Sequence, residues 1–101
     1  MYIYNITSKI DPSIHENWVA WMKETHIPEV MATNCFTQYQ FVRLLEVDDS
    51  DGPTYAIQYM ANSKADYNRY LEIHAPLLSK KSTDAWGNLF IGFRSLMQVV
   101  H

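Results

Sequence analysis

Apolar and polar positions alternate through Tyr2-Ile-Tyr-Asn-Ile-Thr7 in residue types that favour strands, so the chain opens on a strand. The period then lengthens. Ile14, Trp18, Trp21, Met22 and Thr25 recur at helical spacing with Glu16, Lys23 and Glu24 on the wet side, which predicts an amphipathic helix. Asp11-Pro12 starts it, with a side-chain oxygen for the N-cap and a proline whose missing N–H costs nothing at the first helical position. Pro28 is expected to end the run by pushing Ile27 out of helical space, and to open a short helix over Pro28–Ala32. Cys35–Val47 reads as the longest strand, closing in the acidic Gly-Pro turn Asp48–Pro53 that leads back into Thr54–Ala61. Ser63 caps a second helix, with Asp66 three residues on and a stripe of Tyr67, Tyr70, Leu71, His74 and Leu78 interrupted by Pro76. A loop through Lys80, Lys81 and Asp84 then leads to a last strand, Asn88–Val100.

The order is strand, helix, strand, strand, helix, strand, and the halves echo each other: Tyr2–Asn5 matches Tyr55–Gln58, and His26-Ile-Pro28 matches His74-Ala-Pro76. This is the double β-α-β layout, an α+β ferredoxin-like domain over residues 1–101 with a four-stranded antiparallel sheet and both helices on one face. Right-handed crossovers give strand order 4-1-3-2.

Two helices cover one face of such a sheet, yet both phases of the strands carry apolar residues. An uncovered patch of several hundred Å² is unusual for a monomer, and its burial is worth roughly 25 cal/mol per Å². The chain is therefore expected to pair with itself through the open sheet face, closing two sheets into a dimeric α+β barrel. By alternation, Asn5, Arg43, Gln58 and Arg94 are placed on one mixed face with Ile3, Tyr39, Phe41 and Phe90, and this face is assigned to the barrel interior. The cleaner set Tyr4, Ile6, Leu44, Ile57 and Phe93 is assigned to the helices. Apolar walls with a few convergent polar groups describe a small-molecule pocket.

Composition narrows the partners. The chain has 101 residues, 48% of them hydrophobic and 14% aromatic, with net charge −3, which describes one folded domain rich in rings suited to interfaces and pocket walls. No basic stripe exists beyond Lys80-Lys81, so nucleic acid is not an expected partner. No signal peptide and no membrane-spanning run is read, and the single cysteine, Cys35, excludes an intrachain disulfide; a cytoplasmic location is expected.

The segments Trp18-x-x-Trp21, His26-Ile-Pro-Glu-Val30, Tyr55–Tyr59, Tyr67-x-x-Tyr70-Leu71, His74-Ala-Pro76 and Phe93-Arg94, in this order and spacing, resemble a small bacterial family, domain of unknown function 4286, within the dimeric α+β-barrel superfamily. The resemblance spans essentially the whole chain and implies a ferredoxin-like dimer without naming an activity. Superfamily members include quinone-forming monooxygenases, muconolactone-type isomerases, haem-degrading enzymes and binding domains without chemistry, so fold alone does not choose among them. The haem-degrading branch implies an Asn on the first strand with a Trp and a His on the second helix. Asn5 fits, but the Trp position falls on Tyr70 and the His position on Lys80, so no haem, and no other cofactor, is expected.

Among candidate chemical groups, His26 stands first, as a general base at the end of a helix, where the helix C-terminus would raise its pKa. The competing role is a capping histidine bonded to the last carbonyls, and the recurrence at His74 favours it. His15 and His26 are eleven residues apart, about 16 Å along a helix, and no His/Cys/Asp/Glu set has ligand spacing, so no metal is expected. Arg43 and Arg94 lack carboxylate neighbours on their strands, which leaves a loop carboxylate, the other subunit, backbone carbonyls or an anionic ligand as their partner. The resulting expectation is a homodimer binding a small apolar or anionic molecule, with His26 catalytic in cofactor-free acid–base chemistry and Asn5, Tyr39, Arg43, Gln58 and Arg94 holding the ligand. The alternative is a non-catalytic dimerisation or interaction module.

Overall fold

The computed structural model describes residues 1–101. Strand β1 (Tyr2–Ile10) is followed by a 3₁₀ turn, Pro12–Ile14, and helix α1 (His15–Trp21). The Asp11 carboxylate accepts from the Ser13 amide at 2.9 Å, so the expected cap is in place. The helix does not break at Pro28. It widens into a π-helical turn over Met22–His26 and continues as α2 (Ile27–Met31), and Ile27, expected outside helical space, has φ −60° and ψ −46°. The second half repeats the device: α3 (Lys64–Arg69), a π turn over Tyr70–His74, then α4 (Ala75–Trp86). In each arm the residue before the proline donates five residues back, Ile27 to the Met22 carbonyl and Ala75 to the Tyr70 carbonyl. A proline lacks the amide for an i−4 bond and its ring crowds that carbonyl. One wide turn absorbs both defects, and the chain stays helical.

Ser63 accepts from the Asp66 amide at 3.1 Å as the sequence predicts. The expected loop at Lys80–Asp84 is instead the last part of α4, where Lys80 pairs with Asp84 at 2.6 Å one turn away. Nothing between Leu77 and Trp86 breaks a helix; Gly87, at φ +60°, does. Strand β2 is Gln38–Arg43, shorter than Cys35–Val47, because Asn34 and Glu46 adopt left-handed backbone at φ 61° and 58° and Cys35 and Phe36 turn into the core as loop. Strand β3 is Thr54–Ala61 and β4 is Phe90–Gln98.

The sheet runs β2-β3-β1-β4, the order 4-1-3-2 read from the other edge, and every neighbouring pair is antiparallel. Directly opposed residues share a face. Tyr4 opposes Tyr59 and Leu96, Ile6 opposes Ile57 and Arg94, and Ser8 opposes Tyr55 and Gly92. On β2, Tyr39, Phe41 and Arg43 join the same side. The helical arms cover this face, with Trp18 packed on Phe41 and Tyr55 at ring distances of 5.8 and 5.5 Å.

This register corrects the face assignment made from alternation. Arg43, Arg94, Tyr39, Phe41 and Phe90 lie on the helix side, whereas Asn5, Gln58 and Ile3 lie on the open side, and Phe93 joins them there. A one-residue change of phase moves a whole strand's side chains to the other face. In Phe90-Ile-Gly-Phe-Arg94 both phases carry aromatic or aliphatic residues, so β4 shows no preferred phase on its own. The open face is apolar nonetheless: on β4 Ile91 is 76% and Phe93 65% exposed, with Met97 further along the strand, and Val42 lies on the same face at the opposite edge.

Candidate functional site

On the helix side the two arms leave a gap above β1 and β4. A cavity of about 230 Å³ opens there, floored by Ile6, Ser8, Gly92 and Arg94 and walled by His26 from the first arm and Tyr70, Ser79, Ser82 and Thr83 from the second. An inner chamber of about 70 Å³ adjoins it; Ile6, Ser8, His26, Ser82 and Phe90 border both, and Trp18, Met22, Ile57 and Tyr59 close the inner end. The floor is open because Ser8 and Gly92 oppose each other where the positions before and after hold Ile6, Ile10 and Phe90. Two small residues in a row of large ones leave a hollow that the helices do not fill.

His26 is the last residue of the first π turn and faces this hollow. Its ring stacks on Trp21 at 5.0 Å with planes 21° apart. It makes no capping hydrogen bond, and since the helix continues past it there is no helix end to cap. With no helix end beside it, the expected cause of an upward pKa shift is missing, and the shift runs the other way. Burial holds the imidazole below its usual value of 6.5, with the Glu29 carboxylate opposing only in part. At neutral pH His26 is an uncharged imidazole, able to accept a proton. His74 occupies the matching place in the second arm, but it stacks on Tyr70 at 6.3 Å and borders a shallow outer groove with Ile73 and Leu77. The backbone device is shared and the side-chain environment is not.

Arg94 is the cation of the cavity. Arg43 and Arg69 each hold a carboxylate, Asp49 at 3.3 Å and Asp66 at 3.2 Å. Arg94 instead donates from Nη1 to the Tyr4 hydroxyl oxygen at 3.5 Å. Burial pushes the phenols of Tyr4, Tyr59 and Tyr70 up, so all three keep their protons at neutral pH. Because Tyr4 accepts from Arg94, its own O–H remains available as a donor.

The structure thus brings His26 and Arg94 to one cavity. Asn5 and Gln58 lie across the sheet from it, where Asn5 donates to Thr7 Oγ1 at 3.0 Å. Arg43 is held by the loop carboxylate of Asp49 and lies over the Tyr55 ring at 5.9 Å, and Tyr39 is 50% exposed on edge strand β2. Neither borders the cavity. Tyr4, Ser8, Tyr59, Ser82 and Gly92 were not singled out from sequence. Ser8 carried a signal: it is the one small polar residue in the phase Tyr4, Ile6, Ser8, Ile10. No group of three or more His, Cys, Asp or Glu side chains is placed to hold a metal ion.

The family model for a domain of unknown function, DUF4286, matches residues 1–100. No curated protein matches the chain. Solved structures share its fold at low identity. A dimeric ferredoxin-like protein from an uncultured marine organism is 11% identical with a TM-score of 0.73, over 99% of this chain and 95% of that one. SnoaB, a cofactor-independent oxygenase from Streptomyces nogalater, is 13% identical with a TM-score of 0.67, over 99% and 93%. A dimeric ferredoxin-like protein of unknown function from Thermobifida fusca is 11% identical with a TM-score of 0.62, over 98% and 92%.

Proposed function

The chain belongs to the DUF4286 family, and from that premise we propose that it is a homodimer that binds a small, partly apolar anion between its helical arms and its sheet, and acts on it by cofactor-free acid–base chemistry. One observation carries the reading. His26, uncharged, and Arg94, without a carboxylate, border the same cavity. A cation without a protein counter-ion beside an uncharged base is what an anionic, proton-losing substrate requires. At about 230 Å³ the cavity suits a molecule of roughly one ring, larger than the roughly 150 Å³ void that admits benzene.

The chemistry follows from the groups present. His26 takes a proton from an acidic C–H or O–H of the bound molecule and becomes the imidazolium. The electron pair left behind is stabilised as an enolate- or phenolate-type oxyanion by the Arg94 guanidinium and the Tyr4 hydroxyl. Ser79, Ser82 and Thr83 supply further hydroxyls along one wall. Return of the proton from His26 to a different atom would complete an isomerisation.

Dimerisation through the open sheet belongs to the same reading, supported by the exposed Ile91 and Phe93 and by relatives of this fold that are dimeric. A cytoplasmic setting accords with the one cysteine, Cys35, being a free buried thiol. The apolar open face also favours a second reading, in which assembly is the whole function.

Benzoate, titrated against the protein while the histidine side-chain resonances are followed, tests the site. Binding shifts the His26 signals, and Arg94→Gln weakens the effect at least tenfold; signals that stay in place count against the pocket. Native mass spectrometry of the purified protein separates the two readings, since a retained small molecule supports the pocket and a dry dimer supports assembly alone. Once a retained compound is known, its incubation in heavy water tests catalysis: deuterium enters at the ionising position with the parent protein and fails to enter with His26→Ala.

A further inference from the structure

The inward line of α4 runs Ala75, Leu78, Ser82 and Trp86, and the helix-side phase of β1 runs Tyr4, Ile6, Ser8 and Ile10. A line turned to the core is expected to be apolar, and each of these is broken by one serine. Both serines border the outer cavity and the inner chamber alike, together with His26. Two polar exceptions, one from each layer, therefore meet beside the base. Ser82 is already engaged, donating to the Leu78 carbonyl at 3.3 Å. Ser8 is 3% exposed, and its hydroxyl has no hydrogen-bond partner within the chain. The polar atoms that the fold both leaves unpartnered and seals off are the Tyr59 hydroxyl and the Trp86 indole nitrogen, so the Ser8 oxygen stays reachable from the chambers it borders. Gly92 keeps the way clear, since a side chain there would begin 2.8 Å from that oxygen. A buried hydroxyl left open in this way needs a reason.

Charge stands at the other end of the floor. Along the β1–β4 ladder the opposed pairs run Tyr4 with Leu96, Ile6 with Arg94 and Ser8 with Gly92. Arg94 reaches away from Ser8, towards the Tyr4 hydroxyl, and Tyr4 and Ser8 are about 13 Å apart along the strand. Between them lies Ile6. Building on the cavity reading above, we propose that the ligands are hydroxy acids of about one ring's length, with the hydroxyl remote from the carboxylate, and that Ser8 determines this specificity. Arg94 and Tyr4 take the carboxylate, and the apolar body crosses Ile6 beside Phe90. The far hydroxyl accepts from Ser8 and donates to His26. The rival occupant of this polar junction is ordered water, which three polar side chains can hold.

Calorimetric titration of the full chain with 4-hydroxybenzoate, 4-methylbenzoate and 2-hydroxybenzoate tests the assignment. The methyl acid matches the first in size and lacks the oxygen; the 2-isomer keeps the oxygen but sets it beside the carboxylate. 4-Hydroxybenzoate is expected to bind about tenfold more tightly than either, the upper range for one neutral hydrogen bond. In Ser8→Ala that advantage disappears, while Arg94→Gln weakens all three acids. Ser8→Ala removes an oxygen that nothing in the chain bonds, so its melting temperature does not fall. Equal affinities for the 4-hydroxy and 4-methyl acids, as a permanently held water would give, overturn the role of Ser8 and leave the cavity reading standing. So does an equal gain from the 2-isomer, or an advantage that survives in Ser8→Ala. A marked drop in the melting temperature of Ser8→Ala would overturn it too, by showing that the hydroxyl is bonded within the fold. Failure of all three acids to bind removes the cavity reading as well.

Discussion

Gly92 lies directly across from Ser8 in the β1–β4 ladder, and a methyl group on Gly92 would stand 2.8 Å from the Ser8 hydroxyl oxygen. The glycine is needed for space, since its backbone does not take the left-handed conformation that Gly52 and Gly87 adopt. Gly92→Ala should therefore cost about 1 kcal/mol through crowding, lowering the melting temperature by roughly 5 °C for a domain of this size. Adding Ser8→Ala removes the crowded oxygen and should restore most of the loss. The four proteins of this cycle, compared by thermal denaturation, give a coupling between the positions. Additive effects would show that the two residues do not share the floor of the cavity.

His26 makes stability depend on pH in a definite direction. Its folded pKa lies below the unfolded value of about 6.5 because burial disfavours the imidazolium. Between the two values the unfolded chain binds more protons, so stability rises with pH across that window. The contribution is fully present above about 6.5 and is lost as pH falls through the folded pKa. His26→Gln should flatten this part of the curve. Histidine side-chain NMR gives the direct check: the His26 midpoint falls below 6.5 in the parent protein, and a midpoint above it would contradict the buried, uncharged imidazole.

Pro28 and Pro76 sit after matching π turns, and only the first of these turns delivers its histidine to the cavity. Pro28→Ala returns an amide that can bond the Glu24 carbonyl in the ordinary i−4 pattern, which removes the cause of the wide turn. The expected result is a shift of the His26 midpoint towards 6.5 and weaker benzoate binding. Pro76→Ala relaxes the second arm and should leave the His26 midpoint where it was. Equal effects from the two substitutions would show that the turn does not aim His26.

The fold was legible because its signals were local and repeated. Alternation at Tyr2–Thr7, the Asp11-Pro12 and Ser63 caps, and the paired His-x-Pro segments specify two β-α-β halves whatever the exact element ends. The site was legible only in part, because it depends on phase. His26 and Arg94 were named, but they were placed with Asn5 and Gln58, which the register puts across the sheet. Alternation within one strand states which residues share a face; which face they share with a neighbouring strand is decided by pairing between residues far apart in sequence. Pro28 misled for a different reason. Its rule concerns an ordinary helical turn, and the chain met the proline by adding a residue to the turn.

The dimer is tested where the open sheet is most apolar. Phe93 is 65% exposed on β4 next to Ile91, on the face that the helices leave bare. A standard interface buries about 800 Å² per partner, and a twofold pairing of two such sheets brings each residue near the axis close to its own copy. A lysine at position 93 would then set two like charges in an apolar seam, a cost of several kcal/mol by the usual penalty for buried, unpaired charge. Phe93→Lys should give a sedimentation mass of 11.8 kDa where the parent gives twice that value. Ile73 and Leu77 provide the control, since they are equally bare, 64% and 59% exposed, but lie on the helical layer. Leu77→Lys should leave the mass unchanged. A split caused by Leu77→Lys and not by Phe93→Lys would move the interface to the helices, and the sheet face would then need another partner.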